Sequence, residues 1–542
     1  MERLILTSET FPFKELSFSK LFCDYTQQTG QLKDFFQYDP LSDDALLSRA
    51  KKVDHTLNPA LKQALLAYND TSKMHPKALE NLNALVSNPK TRTIVTGQQV
   101  TFAGGTMFTI YKILTAIVRS AQLEKISDYK VVPIFWVADE DQDFDEISRI
   151  GFPSGNDWVE FTLDSPEISG QRAGQTVVQK NIAELIDSIE VTLPPTDHRD
   201  EIIQMLRTSY IPESMHTDSF ARLITQLFSQ FGLLIFGSAK SESRNLVKDQ
   251  IIELIDKSTS IHKALEKTST NIEKIYHRQA SVSESNWFIV LENGVRIKLN
   301  YENDTWSTGE GHTYSTNQLK KLVESDPNAV SPNVFMRPIL QDSMLPNLAL
   351  VGGPGEIAYY AQMKAVYEVC GLEMPVIIPR FSGTVFESST RKYFDELSFK
   401  LPEYNKRIED LEKVFIEKTQ DIDINEKFES WSEGLSKLAD EYVPMVEQID
   451  PTLVGTLKKV ESDQINMLNQ LKGKLFKALK SKQDVQLKRI ARIQMALFPN
   501  RNLQERELAF IYLLNKYGVQ FLDELYQIIN DSSLQDHHLI DL

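Results

Sequence analysis

Acidic side chains are concentrated in one short stretch of this sequence. Six carboxylates lie between Asp139 and Glu146, directly after an apolar run with the length of a strand. Open α/β sheets bind ligands where their strands end, so acids here could hold an ammonium group, sugar hydroxyls or a hydrated Mg²⁺. Helix capping is the alternative, since acids in a first helical turn interact favourably with the helix dipole. Because capping requires only one or two acids, a catalytic role is predicted within the set Asp139, Glu140, Asp141 and Asp143.

A glycine-bearing loop lies between a β-branched run and a helical pattern. It begins with Gly97-Gln98-Gln99 and ends with Gly104-Gly105. Glycine allows a ligand to approach the backbone closely, and the unpaired N–H groups of a helix N-terminus attract anions. The loop fits neither GxxxxGK[ST] nor GxGxxG, and a tight turn would explain its glycines equally well. We predict that Gly97, Gly104 and Gly105 bind an anion such as a nucleotide phosphate, and that Gln98 and Gln99 bind substrate.

The segment from Arg337 to Lys364 has the highest density of candidate residues. It contains a second glycine loop, Gly352-Gly353-Pro354-Gly355, which opens a helical pattern. An arginine fork suits a carboxylate or a phosphate, whereas tyrosines at helical spacing are more often core residues. The predicted substrate-binding residues are Arg337, Gln341, Asp342, Glu356 and Tyr359. Gly352 and Gly353 are predicted to bind an anion, and Gly97, Gly104 and Gly353 are expected to line the main cleft.

Two further segments supply candidates. Arg380 follows the apolar run Met374–Pro379, so it also stands at a predicted strand end and is a candidate for binding substrate. The segment Leu497–Arg506 interrupts a helical region with a Pro-Asn turn signal, and a structural turn would account for it. This segment belongs to the basic C-terminal stretch, and Asn500 and Arg506 are its predicted nucleotide-binding or anion-binding residues.

The elements that must position these residues form a recognisable pattern. Thr91–Thr96 is a β-branched run, Thr106–Leu123 has helical spacing, and Val131–Ala138 is a continuous apolar run typical of a strand buried on both faces. Phe231–Gly237 and Pro375–Pro379 have the same character. Strand, glycine loop, helix and strand make a βαβ unit, which predicts an α/β core with a parallel sheet and helices on both faces.

Outside this core, the sequence predicts other kinds of element. Polar amphipathic helices are expected up to about residue 90, and Asn293-Gly294 predicts a β-hairpin between Trp287–Leu291 and Val295–Leu299. From about Leu401 strand signals vanish, and a near-heptad from Leu453 to Ala478 predicts a helical hairpin that helps form a homodimer. Ordinary bundle helices would explain this spacing almost as well. His537-His538 resembles a mobile tail.

These elements divide the chain into five segments. Residues 1–160 hold the N-terminal helices and the first half of the core, and 161–332 hold inserted elements with a further core strand. Residues 333–400 form the second half of the core. A helical coiled coil is expected at 401–485, and 486–542 are expected to return to the core as a helical segment.

Composition limits the classes of function. The 542 residues are 41% hydrophobic and 25% charged, as in a multidomain globular protein. The net charge of −16 argues against a nucleic-acid-binding protein. No signal peptide is recognisable, no apolar run approaches the ~20 residues of a membrane helix, and two cysteines provide neither a disulfide framework nor a zinc cluster. These features predict a cytoplasmic protein that binds no membrane.

The candidate segments together resemble a known enzyme family. The sequence resembles the cysteine-adding enzymes of bacillithiol synthesis, the BshC family, over nearly its whole length. Val100-Thr101 stand where that family commonly has Pro-Gly, and Gln142 stands where it commonly has histidine, which excludes an imidazole base there. The resemblance is carried by VTGQQ with Gly104-Gly105 and Thr109–Lys112, PIFWVADEDQDFDEI, RPILQD, LPNLALVGGPGEIAYYAQMK, MPVIIPR and LFPNRNLQER.

The resemblance implies a fold and a reaction. The fold is a Rossmann-like core similar to class I aminoacyl-tRNA synthetases, with inserted connecting elements and a coiled coil that makes a homodimer. The reaction joins the carboxylate of L-cysteine to the amine of glucosaminyl-malate in the last step of bacillithiol synthesis. ATP with Mg²⁺ is expected, because a carboxylate does not acylate an amine unaided at neutral pH. HIGH and KMSKS signatures have no recognisable counterpart here, so the resemblance assigns no ATP site.

Within that reaction, the acceptor carries two carboxylates and one amine. Arginine forks bind carboxylates well, which favours Arg337 and Arg380 as its anion-binding residues. Asp141 or Asp143 is then the expected acceptor of the amine proton.

Two other functions remain open. One is a different ATP-dependent carboxylate–amine ligase or nucleotidyltransferase on the same core, which a substrate screen would distinguish. The other is a non-catalytic coiled-coil scaffold. A scaffold does not require polar clusters at three predicted strand ends, and this argues against it.

Overall fold

The computed structural model describes residues 9–166, 168–309, 311–397, 399–419 and 423–542. Its strands are β1 (Glu9–Pro12), β2 (Thr91–Gln98), β3 (Lys130–Val137), β4 (Arg149–Ser154), β5 (Asp157–Thr162), β6 (Leu234–Gly237), β7 (Trp287–Val290), β8 (Arg296–Lys298), β9 (Asn300–Glu302), β10 (Thr305–Ser307), β11 (Thr313–Ser315), β12 (Val330–Pro332), β13 (Asn347–Gly352), β14 (Val376–Pro379), β15 (Gly383–Phe386) and β16 (Asp536–Asp541).

The helices of the described residues follow in chain order. They are α1 (Lys20–Thr26), α2 (Asp43–Lys52), α3 (Pro59–Tyr68), α4 (Pro76–Ser87), α5 (Met107–Ile126), α6 (Phe144–Ile147), α7 (Ile182–Thr192), α8 (Arg199–Ser209), α9 (His216–Phe228), α10 (Ser241–Leu246), α11 (Lys248–Asp256), α12 (Ser258–Glu273), α13 (Thr316–Ser325), α14 (Met336–Met344), α15 (Pro354–Tyr360), α16 (Lys364–Val369), α17 (Ser388–Glu396), α18 (Ile408–Lys418), α19 (Ile424–Ile449), α20 (Val454–Lys482), α21 (Asp484–Leu497), α22 (Gln504–Glu507), α23 (Phe510–Tyr517) and α24 (Phe521–Asp531).

The chain divides into two compact units. The first combines the chain up to Val385 with Gln504–Leu542, and the second is Phe386–Leu503. These limits differ from the predicted segments, because residues 386–400 and 486–503 pack with the helical segment between them. The second unit therefore begins before position 401 and ends after position 485.

The first unit is built on a parallel sheet of five strands in the order β14-β13-β2-β3-β6. In the central strand β2, Val95 is opposite Ile134 of β3 and Leu350 of β13. Ile94 and Val95 point to opposite faces because they are neighbours in a strand, yet both are fully buried. Helices therefore cover both faces, which explains why the core strands are continuous apolar runs. The predicted βαβ unit is confirmed as β2, α5 and β3.

Two core strands differ in detail from the predictions. β13 is absent from the predicted strands, because proline and glycine on either side leave an apolar run of only Leu348–Val351. β6 begins later than the predicted Phe231, because Gly232 takes a left-handed φ of 88° at the end of a 3-10 turn. A residue in that conformation interrupts an extended strand.

Helix α5 carries a lysine into the core. Its predicted apolar face is buried, as expected for a helix that packs on the sheet. Lys112 lies on the same helix and is only 4% exposed. A buried lysine requires partners for its ammonium group, and these partners lie in the glycine loop that precedes the helix and in α15.

The inserted and terminal elements agree with the predictions except at the C-terminus. The predicted hairpin is confirmed as the antiparallel pair β7 and β8, with Gly294 at a φ of 83° in the connection. The last residues are a strand rather than a helix or a mobile tail. β16 pairs with β1, and His537 and His538 are buried within it.

The second unit contains helices α17 to α21. Helices α19 and α20 pack side by side as the predicted hairpin, with Lys458 Nζ 2.6 Å from Asp440 Oδ1. Pro451 opens the turn between them, whereas Pro444 lies inside α19 and does not end it. Among the helices of the described residues, none combines the length and the apolar character that a membrane crossing requires.

Candidate functional site

A cavity of about 500 Å³ opens where strands β2, β3, β13 and β14 end. Parallel strands carry their carboxyl ends to one edge of the sheet, so four separate polar segments meet there. A volume of this size is typical of small-molecule sites. The lining residues all belong to the first unit: Gly97, Gln98, Gln99, Phe108, Lys112, Trp136, Ala138, Asp141, Glu146, Gln279, Val334, Arg337, Pro338, Gln341, Leu350, Gly353, Pro354, Gly355, Glu356, Tyr359, Tyr360, Arg380 and Arg506.

Lys112 connects the two glycine loops. Its Nζ donates to the Gly97 carbonyl and to Gln98 Oε1, both at 2.9 Å, and lies 2.5 Å from Glu356 Oε2. Burial lowers the pKa of Lys112, and the nearby charge of Glu356 opposes that fall. The lysine therefore fixes the end of β2 against the first turn of α15. Lys112 was not among the predicted site residues, although a lysine on the apolar face of a helix is itself a signal.

The N-terminus of α15 is already occupied by a side chain. Glu356 Oε2 accepts a hydrogen bond of 2.8 Å from the Gly353 N–H, as in a capping box. The prediction that this N–H faces an anionic ligand is therefore wrong. Gly353 nevertheless lines the cavity, and a Cβ built on it would lie 3.5 Å from Arg380 Nε.

Arg380 lines the cavity, but its fork is occupied. Its Nη2 and Nη1 donate to the two carboxylate oxygens of Glu505 at 2.6 and 3.0 Å. Ser382 Oγ and the Gly383 N–H also donate to that carboxylate. Burial acts to raise the pKa of Glu505, but the charge and hydrogen bonds of Arg380 dominate and bring it to about 2. Arg380 thus has a bidentate partner within the protein, which contradicts its expected role as the acceptor's anion-binding fork.

Arg506 lies on the same side of the cavity as Arg380, and its guanidinium is available to bind an anion. It follows Glu505, remains accessible to solvent, and makes no ion pair within the described part of the chain. Desolvation by the surrounding protein and the charge of Arg380 lower its pKa. Its position at the cavity agrees with its predicted role in anion binding, which stays a prediction.

The opposite wall is acidic. Asp141 Oδ2 accepts a hydrogen bond of 3.1 Å from Gln99 Nε2, and Arg337 Nη2 lies 4.0 Å from the same oxygen. Burial acts to raise the pKa of Asp141, but Arg337 and the hydrogen bonds outweigh it and the pKa falls below its ordinary value. Arg337 Nε is buried without a hydrogen-bond partner, so this fork retains capacity for a ligand.

Glu146 lies on the same wall, but its pKa is shifted in the opposite direction from that of Asp141. Desolvation raises its pKa, the Gln99 side chain opposes this, and the negative charges of Asp141 and Asp143 raise it further. No lysine or arginine pairs with Glu146 among the described residues. Glu146 belongs to the acidic run but was not among the predicted catalytic residues, because the run does not reveal which carboxylates face a cavity.

Three of the four predicted catalytic acids lie away from the cavity. Asp139 is buried and accepts hydrogen bonds from Tyr68 Oη at 2.6 Å and from the Ala239 N–H at 3.2 Å. Glu140 is fully buried in an ion pair with Arg244. Asp143 caps α6 by accepting from the Glu146 N–H, which is the capping role weighed above. These predictions are wrong because the chain turns after β3, and Asp139 and Glu140 face inward.

Several other predicted residues also lie elsewhere. Gly104 and Gly105 have φ values of 82° and 81° in the loop before α5, and a Cβ on Gly104 would lie 2.3 Å from Phe510 Cε1. These glycines serve close packing and a left-handed turn. Gly352 ends β13 outside the lining. Asn500 belongs to the second unit, in the turn Pro499–Arg501 with a φ of 51°.

Asp342 lies beside the cavity lining and not in it. It accepts hydrogen bonds of 2.6 Å from Tyr367 Oη and Asn347 Nδ2, and burial raises its pKa to about 6. Its neighbour Gln341 lines the cavity, as do Tyr359, Gln98 and Gln99. Their predicted substrate contacts stay predictions.

A larger cavity of about 1010 Å³ lies between α3, α9 and the segment after β6. None of the predicted site residues lines it, so the expectation that the glycines line the main cleft is wrong. Its Lys240 is already paired with Asp218 at 2.7 Å. We assign the chemistry to the smaller cavity, because polar side chains from several strand ends converge there.

Comparison with known proteins agrees with this geometry. Residues 6–381 match the family described as "Bacillithiol biosynthesis BshC, N-terminal Rossmann-like domain", and residues 383–542 match its "C-terminal coiled-coil domain". The chain belongs to the BshC family. The parallel sheet and the helical second unit confirm the Rossmann-like core with a helical appendage that the sequence predicted.

Individual relatives of this BshC-family chain cover it almost completely. Proteins named "Putative cysteine ligase BshC" are 31% identical in Prosthecochloris aestuarii and 29% in Chlorobaculum tepidum, each over 97% of both chains. The protein of that name in Halalkalibacterium halodurans is 28% identical over 98% of this chain and 99% of its own. A solved structure titled as a putative arginyl-tRNA synthetase from Campylobacter jejuni matches over 85% of this chain and 99% of its own length, at 11% identity. Its TM-score of 0.23 is too low to support a structural conclusion.

Proposed function

We propose that this chain is a cysteine ligase that forms an amide between the carboxyl group of L-cysteine and the amine of glucosaminyl-malate, the last step of bacillithiol synthesis. The family match over the whole chain and the names of its relatives support this reaction. The observation that carries it is the arrangement of charge in the cavity: Arg506, unpaired among the described residues, lies on one wall, and Asp141 and Glu146 lie on the other, with Arg337 beside Asp141.

That arrangement suits an acceptor with carboxylates at one end and an amine at the other. Arg506 offers an unpaired guanidinium on the cationic wall, beside Lys112 and Arg380. Asp141 and Glu146 lie on the acidic wall, where an ammonium or an attacking amine would be favoured electrostatically. Arg337, close to Asp141, can bind a second carboxylate.

The expected co-substrate is ATP with Mg²⁺, which would activate the cysteine carboxyl. Arg506 fits a polyphosphate here, since it lines the cavity without an ion pair in the described part of the chain, whereas the Lys112 ammonium is occupied by Gly97, Gln98 and Glu356. The glycine backbone does not fit, because the Gly353 N–H is bonded to Glu356, and the Gly104 and Gly105 N–H groups bond to the Thr101 and Phe102 carbonyls. Among the described residues, no group of three or more His, Cys, Asp or Glu side chains could hold a metal ion.

Incubation of the pure protein with cysteine, glucosaminyl-malate and ATP-Mg²⁺ tests the reaction. Bacillithiol should appear by mass spectrometry, and omission of any one component should abolish it. Replacement of glucosaminyl-malate by other amines, and of cysteine by serine or alanine, separates this ligase from another ATP-dependent carboxylate–amine ligase. Product from a different pair, with none from cysteine and glucosaminyl-malate, would contradict the proposal.

The assembly and compartment are part of the same proposal. We propose a cytoplasmic homodimer that forms through α19 and α20. The support is a row of exposed apolar side chains on each helix: Trp431, Leu438, Tyr442, Met445 and Ile449 on α19, and Val460, Met467, Leu471 and Leu475 on α20. Contiguous exposed apolar surface of this kind marks interaction sites.

A further inference from the structure

Three carboxylates line the cavity, and they differ in the hydrogen bonds and ion pairs that they make. Glu356 accepts the Gly353 N–H and pairs with Lys112. Asp141 accepts from Gln99 and from two backbone N–H groups, and Arg337 lies 4.0 Å away. Glu146 has no such cation among the described residues and is reachable from the cavity. Of these three carboxylates, Glu146 is the one whose oxygens are not committed to a structural partner of opposite charge.

We propose that Glu146 is the general base of amide formation and accepts the proton of the acceptor amine as that amine attacks the activated carboxyl carbon of cysteine. This inference rests on the proposed ligase function. One N–C bond forms, and the C–O bond to the leaving group breaks. The leaving group is the phosphate or nucleoside monophosphate that a nucleoside triphosphate formed on the carboxylate oxygen, and it departs with the electron pair of the C–O bond. The amine proton ends on a Glu146 oxygen.

Glu146 and Asp141 line the same cavity and have contrasting properties. Gln99 Nε2 donates to Asp141, and the Gln99 side chain also acts to lower the pKa of Glu146. Charged and titratable groups that face Glu146 are Asp141, Asp143 and Lys112. The two acids have pKa values shifted in opposite directions, which is the pattern of a pair with different protonation roles.

The other expected bases are poorly suited to this role. Asp141 has a depressed pKa, and a carboxylate that is stabilised in its charged form is a weaker proton acceptor. Asp143 caps α6 and lies outside the cavity lining. Desolvation and the charges of Asp141 and Asp143 raise the pKa of Glu146, which is the direction that makes a carboxylate a stronger proton acceptor.

Steady-state kinetics of Glu146→Gln tests the inference, with Asp145→Asn as the matched control. Both variants remove one negative charge from α6, but Asp145 does not line the cavity. Loss of a general base should lower kcat by about 10²–10⁴-fold with little change in the acceptor KM. Glu146→Asp should recover part of the loss, and Asp145→Asn should retain the wild-type kcat.

A pH profile provides a readout that a structural role would not move. Asp141→Asn removes a negative charge that raises the pKa of Glu146, so the base should stay ionised to lower pH. The kcat/KM of this variant divided by that of wild type should therefore rise as the pH falls. Titration of the acceptor amine affects both enzymes equally and cancels in this ratio.

Loss of a general base lowers kcat by about 10²-fold or more. A kcat of Glu146→Gln within about threefold of the wild-type value would therefore overturn the inference. A pH-independent ratio for Asp141→Asn would do the same. If wild type makes no bacillithiol from cysteine, glucosaminyl-malate and ATP, the ligase function itself fails. If wild type makes bacillithiol and Glu146→Gln does so equally fast, only the role of Glu146 fails.

Discussion

Partners decide what each arginine at the cavity can do. Arg380 follows β14, Arg337 lies at the start of α14 and Arg506 lies in α22, and all three were candidates from the sequence. Glu505 occupies the fork of Arg380, whereas Arg506 makes no ion pair in the described part of the chain. Arg337 lies 4.0 Å from Asp141 and retains a buried Nε without a hydrogen-bond partner. Arg506 and Arg337 are therefore the arginines that we propose bind anions.

Arg506→Ala and Arg337→Ala should each weaken acceptor binding more than turnover. Loss of a desolvated charge pair costs about 2–5 kcal/mol, or roughly 30-fold to several thousandfold in affinity. The acceptor KM in steady-state assays measures the effect. Arg492→Ala, at an exposed arginine of α21, is the control and should leave the KM unchanged. An unchanged acceptor KM in both cavity variants would remove the anion-binding role.

Glu505→Gln should destabilise the first unit. The substitution leaves Arg380 buried without its counter-charge, which typically costs about 3–5 kcal/mol. Urea unfolding measures the loss, with Glu507→Gln on the same short helix as the comparison. A free energy of unfolding equal to that of wild type would show that Arg380 finds another partner.

The Arg380–Glu505 pair also sets a pH dependence of stability. The folded pKa of Glu505 is about 2, below its ordinary value of 4.5. Its contribution is therefore complete above about 4.5 and is lost as the pH falls from there toward 2. Glu505→Gln should accordingly show a flatter loss of stability than wild type over this range.

At the scale of elements, two glycine loops look alike in sequence and differ in purpose. Gly104 lies in a left-handed turn against Phe510, which places the C-terminal segment over the start of α5. Gly353 has ordinary backbone geometry and borders the cavity. Gly104 at the end of the first loop therefore serves the fold, whereas Gly353 in the second loop leaves room beside reactive side chains.

Gly104→Ala and Gly353→Val should separate these purposes. A Cβ on Gly104 would collide with Phe510 in a backbone conformation unfavourable to other residues, so the melting temperature should fall by several degrees, consistent with a cost of about 1–3 kcal/mol. Gly353→Val should abolish product formation and leave the circular dichroism spectrum unchanged. A stable Gly104→Ala protein, or an active Gly353→Val protein, would contradict the respective assignment.

At the scale of the whole molecule, the second unit exposes more apolar surface than its own packing needs. Leu468 is buried between α20 and its neighbours, but Ile449 and Met467 are 73% and 69% exposed. Burial of such side chains contributes about 1.5–3 kcal/mol each, which favours a second copy of the chain as their partner. This is the interface proposed above for the homodimer.

Ile449→Glu combined with Met467→Glu should convert the dimer to a monomer. Light scattering at micromolar concentration measures the mass. Ser462→Glu combined with Asn466→Glu adds the same two negative charges at exposed positions of α20 on the face away from its exposed apolar row, and should leave the dimer intact. A wild-type chain that is already monomeric at this concentration would sink the proposal.

Local patterns in the sequence determined the types of element. The continuous apolar run of β3 predicts a buried strand, Asn293-Gly294 predicts the hairpin of β7 and β8, and the near-heptad predicts α20. Such periodicities depend on neighbours along the chain, so they can be read without a structure. The edge of the sheet that carries the cavity could also be predicted, because parallel strands end at a common edge.

Only the tertiary structure decided which side chains at that edge are available for chemistry. Glu140 lies two residues from the end of the run that predicts β3, yet it is buried against Arg244 from a distant segment. Arg380 is paired with Glu505, which comes 125 residues later. No local pattern predicts a contact between remote segments, because the sequence around each residue does not depend on which distant residue it contacts. The sequence therefore determined where the polar groups gather, and the packing of distant segments decided which of them remain free to bind a substrate.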